Sequence, residues 1–301
     1  PALIKRMVAE DAMHYKKNMF ALDEDLTKGF DKVESWVKDA ALRRFGVPDK
    51  ARNYLLAFDK GNRNQVITPF GLTEEFHAEA ASLAQGCESS PILWVCVMDM
   101  LLEYTKANNP QPYKYTVNNK GETVSIGQIL YVDDGTYITR TEAALRAVAE
   151  ATQTFASFSG LEISTSKSWA CALSFDDKGT PTHTTRPPIR LAEWRSSSPL
   201  STNASTPTDP SFADWAVAAD TSRTDPIEWI SPDKTYRHLG NLQSATGCNK
   251  EALRKAGQDA NRLAAHLARK KISAAGTRLV QTLCLQSKIK YAMILSNTST
   301  E

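Results

Sequence analysis

The sequence has no paired cysteines to build on. Its cysteines, Cys87, Cys96, Cys171, Cys248 and Cys284, are odd in number, scattered and without a C-x-x-C pair. That pattern excludes a disulfide framework or structural zinc site as the organising device and leaves reduced, mostly buried thiols. Long apolar runs are also missing: none approaches the roughly 18 residues that a membrane span needs. The opening Pro1-Ala2-Leu3-Ile4-Lys5-Arg6-Met7 has neither the apolar core nor the cleavage pattern of a signal peptide. The expectation is an intracellular protein with no membrane partner, nucleus and cytoplasm not being distinguished. The sequons at Asn203 and Asn297 would matter only in a secreted chain. There is no initiator methionine, so a piece of a longer polyprotein is expected, and no internal repeat is visible.

What is present suits a folded domain. The chain has 301 residues, 42% of them hydrophobic and 23% charged, enough for one large or two medium domains with a real core. The net charge of +2 says little, but ten Lys or Arg fall between Lys250 and Lys290 against only Glu251 and Asp259. A basic, helix-forming segment of this kind suits a nucleic-acid backbone, with Lys255, Arg262, Arg269, Lys270 and Lys271 as contacts; a solvated helical surface is the other reading.

Apolar spacing predicts a helix over residues 2–19 and a short buried strand, Met19 to Leu22, delivering its end into the acidic cluster Asp23-Glu24-Asp25. A single amphipathic helix is expected through Phe30, Val33, Trp36, Val37 and Ala40, stopping at Gly46, followed by a helix from Asp49 to Asp59. Gln65 to Thr68 reads as a short strand. Pro91 to Tyr104 reads as a deeply buried helix with proline in its first turn. Ile126 to Ile138 carries two apolar runs around Asp133-Asp134-Gly135, the signal for a tight hairpin turning at the glycine. A helix from Thr141 to Phe158 closed by Gly160 and an edge strand from Ser168 to Phe175 follow. The order lacks a βαβ rhythm, so the fold class is α+β, with helices on one face of a mainly antiparallel sheet. Residues 176–226 turn to Ser, Thr, Pro and Asp, and a disordered insertion is expected there with one helical turn near Phe212 to Val217. Strands at Ile227–Ile230 and Tyr236–Leu242 and basic helices over Lys250–Lys270 and Ser273–Leu295 complete the reading.

The chemistry centres on Asp25 at a strand end and on Asp133 and Asp134 in the hairpin. Phosphoryl transfer to a primer hydroxyl uses two divalent cations about 3.5–4 Å apart, and Mg²⁺ prefers a few carboxylate oxygens plus phosphates and water. Neighbouring strands lie about 4.8 Å apart, so a strand-end Asp beside a hairpin Asp can bridge such a pair. Each fragment alone has a simpler explanation as a turn or a helix cap.

Their order carries more. Asp25-Leu26-Thr27-Lys28-Gly29-Phe30-Asp31 resembles motif A of non-LTR retrotransposon and group II intron reverse transcriptases, usually D-x-x-K-A-F-D. Gln85-Gly86-Cys87-Glu88-Ser89-Ser90-Pro91 resembles motif B, with Ser89 in place of the usual Leu, and Tyr131-Val132-Asp133-Asp134 is similar to motif C. Gly160 to Lys167 resembles motif D, Tyr236-Arg237-His238-Leu239-Gly240 resembles the primer grip of motif E, and Leu283 to Tyr291 is similar to the family's thumb helix. The resemblance implies a polymerase palm followed by a helical thumb, with the fingers largely absent. The palm would span 1–175, the insertion 176–226, the palm end with the primer grip 227–248 and the basic thumb 249–301.

It further implies two Mg²⁺ or Mn²⁺ ions on Asp25, Asp133 and Asp134, and Lys167 as general acid for the leaving pyrophosphate. Leu26, Phe30, Gln85 and Gly86 would line the nucleotide pocket. Phe30 would lie under the sugar, where a ring leaves no room for a 2′ hydroxyl and so favours dNTPs over NTPs. Residues 236–240 would hold the primer end. Implied partners are an RNA template, a DNA primer and dNTPs, serving retrotransposition, with upstream fingers and other domains on a longer polyprotein. A noncatalytic nucleic-acid-binding remnant and a maturase-like relative are the alternatives.

Overall fold

The computed structural model describes residues 2–191 and 225–268, apart from residues 28, 61–62, 78–82, 84–86, 183, 233, 235, 239–240 and 244–249. The chain opens with helix α1 (Ala2–Tyr15), strand β1 (Met19–Asp25) and helices α2 (Gly29–Lys32), α3 (Ser35–Arg44) and α4 (Asp49–Lys60). Short strands β2 (Arg63–Asn64), β3 (Ile67–Thr68), β4 (Gly71–Leu72) and β5 (Phe76–His77) lead to the long helix α5 (Ser90–Ala107). Strands β6 (Tyr113–Thr116), β7 (Thr123–Ile126), β8 (Gln128–Tyr131) and β9 (Asp134–Thr139) precede helix α6 (Glu142–Ser159). After it come β10 (Trp169–Phe175), β11 (Pro181–Thr182), β12 (Glu228–Ile230), β13 (Tyr236–His238), β14 (Asn241–Gln243) and helix α7 (Lys250–Ala268).

The main sheet runs β11-β10-β1-β9-β8, with β12 joined to β10 in parallel and the other pairings antiparallel. β1 lies in the middle and alternates its side chains across the sheet, as a strand of period two must. Phe20, Leu22 and Leu26 enter the larger core, which Val37 and Ala41 of α3, Val97 and Leu101 of α5 and Leu145 and Val148 of α6 close. Met19 faces the other way, into a second core with Val8, Ala9 and Ala12 of α1, Ile138 and Leu173. Helices therefore cover both faces rather than one: the Met19, Ile138 and Leu173 side chains need an apolar cover, and α1 supplies it.

Several expected elements change on this scaffold. The strand from Met19 runs through the acidic cluster instead of stopping before it. The single helix through Phe30 and Ala40 is two, because the chain breaks at Val33-Glu34, where the Glu34 N–H bonds to the Ser159 carbonyl at the end of α6. That junction is tight: Gly160 has φ of 79°, and a Cβ there would stand 2.6 Å from the Lys32 carbonyl oxygen, so glycine serves both the left-handed helix end and the close approach. α5 is not deeply buried all round, since Ile92 and Val95 are exposed while Leu93, Trp94, Val97 and Leu101 are buried. The strand at Ser168 is not an edge, because β11 and β12 both pair beyond it. The insertion expected from residue 176 begins with packed chain: Ile189 and Leu191 are buried, and Ile189 bonds to Ile227 in both directions, at 2.9 and 2.8 Å. The helical turn expected near Phe212 and the helix expected over Ser273–Leu295 lie outside the described residues.

Glu24 is the one residue of β1 that its face does not suit. It points with Leu22 and Leu26 toward α6, is buried, and neither carboxyl oxygen has a hydrogen-bond partner. The nearby Thr152 hydroxyl is given to the Val148 carbonyl at 2.9 Å. Burial, with Asp23 beside it, pushes the carboxyl up to about 8. The folded chain therefore keeps a proton here that the unfolded chain releases in the ordinary carboxylate range, and the contribution to stability falls as pH rises toward about 8. Glu24→Gln removes that slope. In metal-free buffer it is expected to raise stability at pH 8 by on the order of 2 kcal/mol and to change it little at pH 5, as read from urea unfolding at both values. An equal effect at both pH values would contradict the assignment.

Candidate active site

The acidic residues lie on the same face of the sheet as Met19, the face that α1 covers, toward the C-terminal end of β1. On β1, Asp23 stands opposite Thr136 and Asp25 opposite Asp134, and such partners hold their Cβ atoms about 4.5–5.5 Å apart on one face. Asp133 comes from the adjoining turn. Tyr131 pairs with Asp134, so the loop between β8 and β9 is only Val132 and Asp133. The hairpin thus turns one step earlier than the Asp-Gly signal suggested, and Gly135 lies within β9 opposite Leu130. The positive φ falls on Val132, at 58°, a conformation that β-branched residues avoid and that costs on the order of 1–3 kcal/mol. The buried Trp94 indole donates to the Val132 carbonyl at 2.6 Å.

Each acid is held differently. Asp23 is buried, paired with Lys5 of α1, and accepts from the Thr136 hydroxyl at 2.6 Å; a buried ion pair of this kind tolerates the loss of neither member. Asp25 accepts from the Lys167 ammonium at 2.9 Å. Backbone bonds set up that contact: Thr27 N–H to the Glu162 carbonyl and Ser164 N–H to the Asp25 carbonyl, both 2.8 Å, lay residues 162–168 along the end of β1. The Ser168 hydroxyl then donates to the Ser164 carbonyl at 2.8 Å and closes the turn bearing Lys167. Asp134 is pushed up to about 6, by burial first and then by Asp133, Asp25 and Asp23. Lys167 is pushed up by its hydrogen bond to Asp25.

Among the described residues no three acidic, histidine or cysteine side chains are already gathered as a coordination cage. The donor set still fits a hard divalent cation. It consists of carboxylate oxygens, Asp134 being raised by burial and then by the neighbouring acids, with one exposed ammonium drawn onto Asp25, and a cation would relieve the repulsion among them.

Residues 3–209 match the family described as reverse transcriptase (RNA-dependent DNA polymerase). The chain belongs to the reverse transcriptase family. No curated protein matches it. Among solved structures, apo telomerase from Candida tropicalis, truncated from its C-terminal domain, is similar at 12% identity with a TM-score of 0.43, over 58% of this chain and 35% of that one. The chain thus spans about a third of that protein's length.

Within this reverse transcriptase chain, other expected site residues are placed less centrally. The Leu26 side chain is buried in the larger core, so a nucleotide could meet only its backbone. Phe30 is half-buried and stacks on Trp94, with ring centroids 4.7 Å apart and planes 17° from parallel. Gln85 and Gly86 lie outside the described residues, while Ser90 and Pro91 open α5. Tyr236, Arg237 and His238 form β13, paired with β14; Leu239 and Gly240 lie outside the described residues. Lys255 and Arg262 are exposed on α7, which packs on β14. Arg269, Lys270 and Lys271 lie outside. Cys96 and Cys171 are free and buried, as expected of reduced thiols. No helix among the described residues is long and apolar enough to cross a membrane.

Sequence reasoning missed Lys5 and Trp94. Lys5 had a signal, a cation spaced three, four and seven residues before Val8, Ala9 and Ala12 on the apolar stripe of the helix; Trp94 had none beyond its size. If Lys167 competes with a cation for Asp25, Lys167→Gln is expected to tighten Mn²⁺ binding to the free chain by about twofold or more, read by the loss of free-ion paramagnetic resonance signal. Weaker binding in the variant would show that the ammonium does not compete.

Proposed function

We propose that this chain performs RNA-templated DNA synthesis, transferring nucleotides from dNTPs to the 3′ hydroxyl of a primer on a polymerase palm. The observation that carries the reading is the convergence of Asp25 with Asp133 and Asp134 where β1 ends beside the β8–β9 hairpin, next to Lys167, in a chain of the reverse transcriptase family. Asp25 and Asp133 would hold two divalent cations, Mg²⁺ or Mn²⁺, with Asp134 in support. Such ions supply Lewis acidity to the attacking and leaving oxygens.

The chain's own groups do the rest. The primer 3′ hydroxyl would release its proton to solvent as its oxygen forms the new bond to the α-phosphorus and the bond to pyrophosphate breaks, and the acids on β1 and the hairpin would fix that line of attack. Lys167 reaches the Asp25 carboxylate and is placed to give a proton to the departing pyrophosphate. Phe30, on the helix following β1, would close the sugar pocket to a 2′ hydroxyl. Residues 236–240 would grip the primer, and the basic stretch 249–301 would act as a thumb on template and primer phosphates. The ordered motifs favour the non-LTR and group II intron type, and with it a role in retrotransposition.

Primer extension on an RNA template with dNTPs and Mg²⁺ tests the reading. Asp133→Asn is expected to cut extension by at least about a hundredfold with duplex binding kept; binding without synthesis, even with Mn²⁺, would instead favour a noncatalytic nucleic-acid-binding role. Phe30→Val is expected to raise NTP use relative to dNTP by about tenfold or more. Unchanged discrimination would remove Phe30 from the sugar pocket.

A further inference from the structure

Two segments distant in sequence, Gly29-Phe30 and Val132, meet at one indole. Trp94, from the first turns of α5, is 2% exposed. Its ring stacks on Phe30 at 4.7 Å. Its six-membered ring also fills the space over Gly29, where an added Cβ would collide with its outer edge and lie within 3.2 and 3.3 Å of two further ring atoms. Its N–H donates to the carbonyl of Val132 at 2.6 Å, the residue whose φ of 58° turns the chain into Asp133 and Asp134. The stack and the hydrogen bond leave the indole along different directions, so it cannot shift to favour one without loosening the other.

We propose that Trp94 is a positioning residue that locks the Val132-Asp133 turn to the motif A helix bearing Gly29 and Phe30. This rests on the polymerase reading above for its catalytic consequence, though not for its structural one. A strained turn persists only where its surroundings over-determine it. Here the over-determining contact is the hydrogen bond of a buried indole donor, whose loss would leave that donor unsatisfied in the core. The turn carries the acids and the helix carries Phe30, so the indole sets the spacing between the cation-binding oxygens and the nucleotide pocket. Gly29 has no side chain because the indole needs its place.

The variants are Trp94→Phe, which keeps an aromatic ring under Phe30 but lacks the donor, Gly29→Ala, and the two combined. Amide hydrogen exchange at Asp134 and Gly135, measured on the metal-free chain, reads the turn without requiring synthesis. Trp94→Phe is expected to speed that exchange and to lower turnover in primer extension, each by roughly fivefold to tenfold. The KM for dNTP should stay within about twofold and discrimination against NTPs should be unchanged, because the stack remains. Gly29→Ala is expected to loosen the same turn although it does not adjoin it, and to do so much less in the Trp94→Phe background, where the colliding ring atoms are gone. Unchanged exchange in Trp94→Phe, or an equal Gly29→Ala effect in both backgrounds, would overturn the proposal. So would a wild-type chain that extends primers alongside a Trp94→Phe chain with the same turnover. If no form of the chain extends a primer while the exchange pattern appears as expected, the lock stands and the polymerase reading fails.

Discussion

The pairing of β1 with β9 is the constraint on which the site depends. Its antiparallel register sets Asp25 opposite Asp134 and, by the same alternation, Leu22 opposite Tyr137 in the larger core. Sliding either strand by one residue would turn the acids into the core and the apolar residues into water. Core packing therefore enforces the register, and the register enforces the meeting of the acids. The hairpin tip inherits the same discipline, since the pair Tyr131 and Asp134 leaves no room for a longer loop.

A cluster of like charges works against the fold that holds it. The structure answers with cations from opposite directions: Lys5 from α1, buried against Asp23, and Lys167 from the loop after α6, exposed against Asp25. Their different burial suits different tasks. Lys5 lies in an environment where removing the charge would leave an unpaired carboxylate in the dry interior. Lys167 sits in water and can leave its partner at small cost. Asp23 thus behaves as part of the framework and Asp25 as the residue with a partner to exchange.

Much of this was legible before the fold was. A short apolar run located β1 and helical signals located α4, α5 and α6, and the ordered acidic fragments singled out Asp25 and Asp134, which the sheet sets opposite each other. The misreadings have physical reasons. The Asp-Gly pair suggested a turn at Gly135 because local propensity favours glycine, whereas the register set by β1 moved the turn to Val132 and put the strain on a valine. The edge assignment of β10 failed because its further partners arrive much later in the chain, at β12. Trp94 and Gly29 could not be connected from sequence, since the fit between an indole and an absent side chain exists only after α2 and α5 pack. The break between α2 and α3 is of the same kind, made by the end of α6 rather than by any local signal.

The mutual hydrogen bonds between Ile189 and Ile227 have a consequence for how the chain can vary. Ile189, within the Ser/Thr/Pro-rich stretch, and Ile227, just after it, are stitched to each other at the margin of the main sheet, both buried. The chain at either side of the residues between them is therefore held together at one point. The entropy of closing such a loop grows only by about 0.6 kcal/mol for each doubling of its length. Extra residues between these two isoleucines place almost no load on the sheet or on the acids it aligns, so this is the site where sequence can accumulate while the rest of the domain stays fixed.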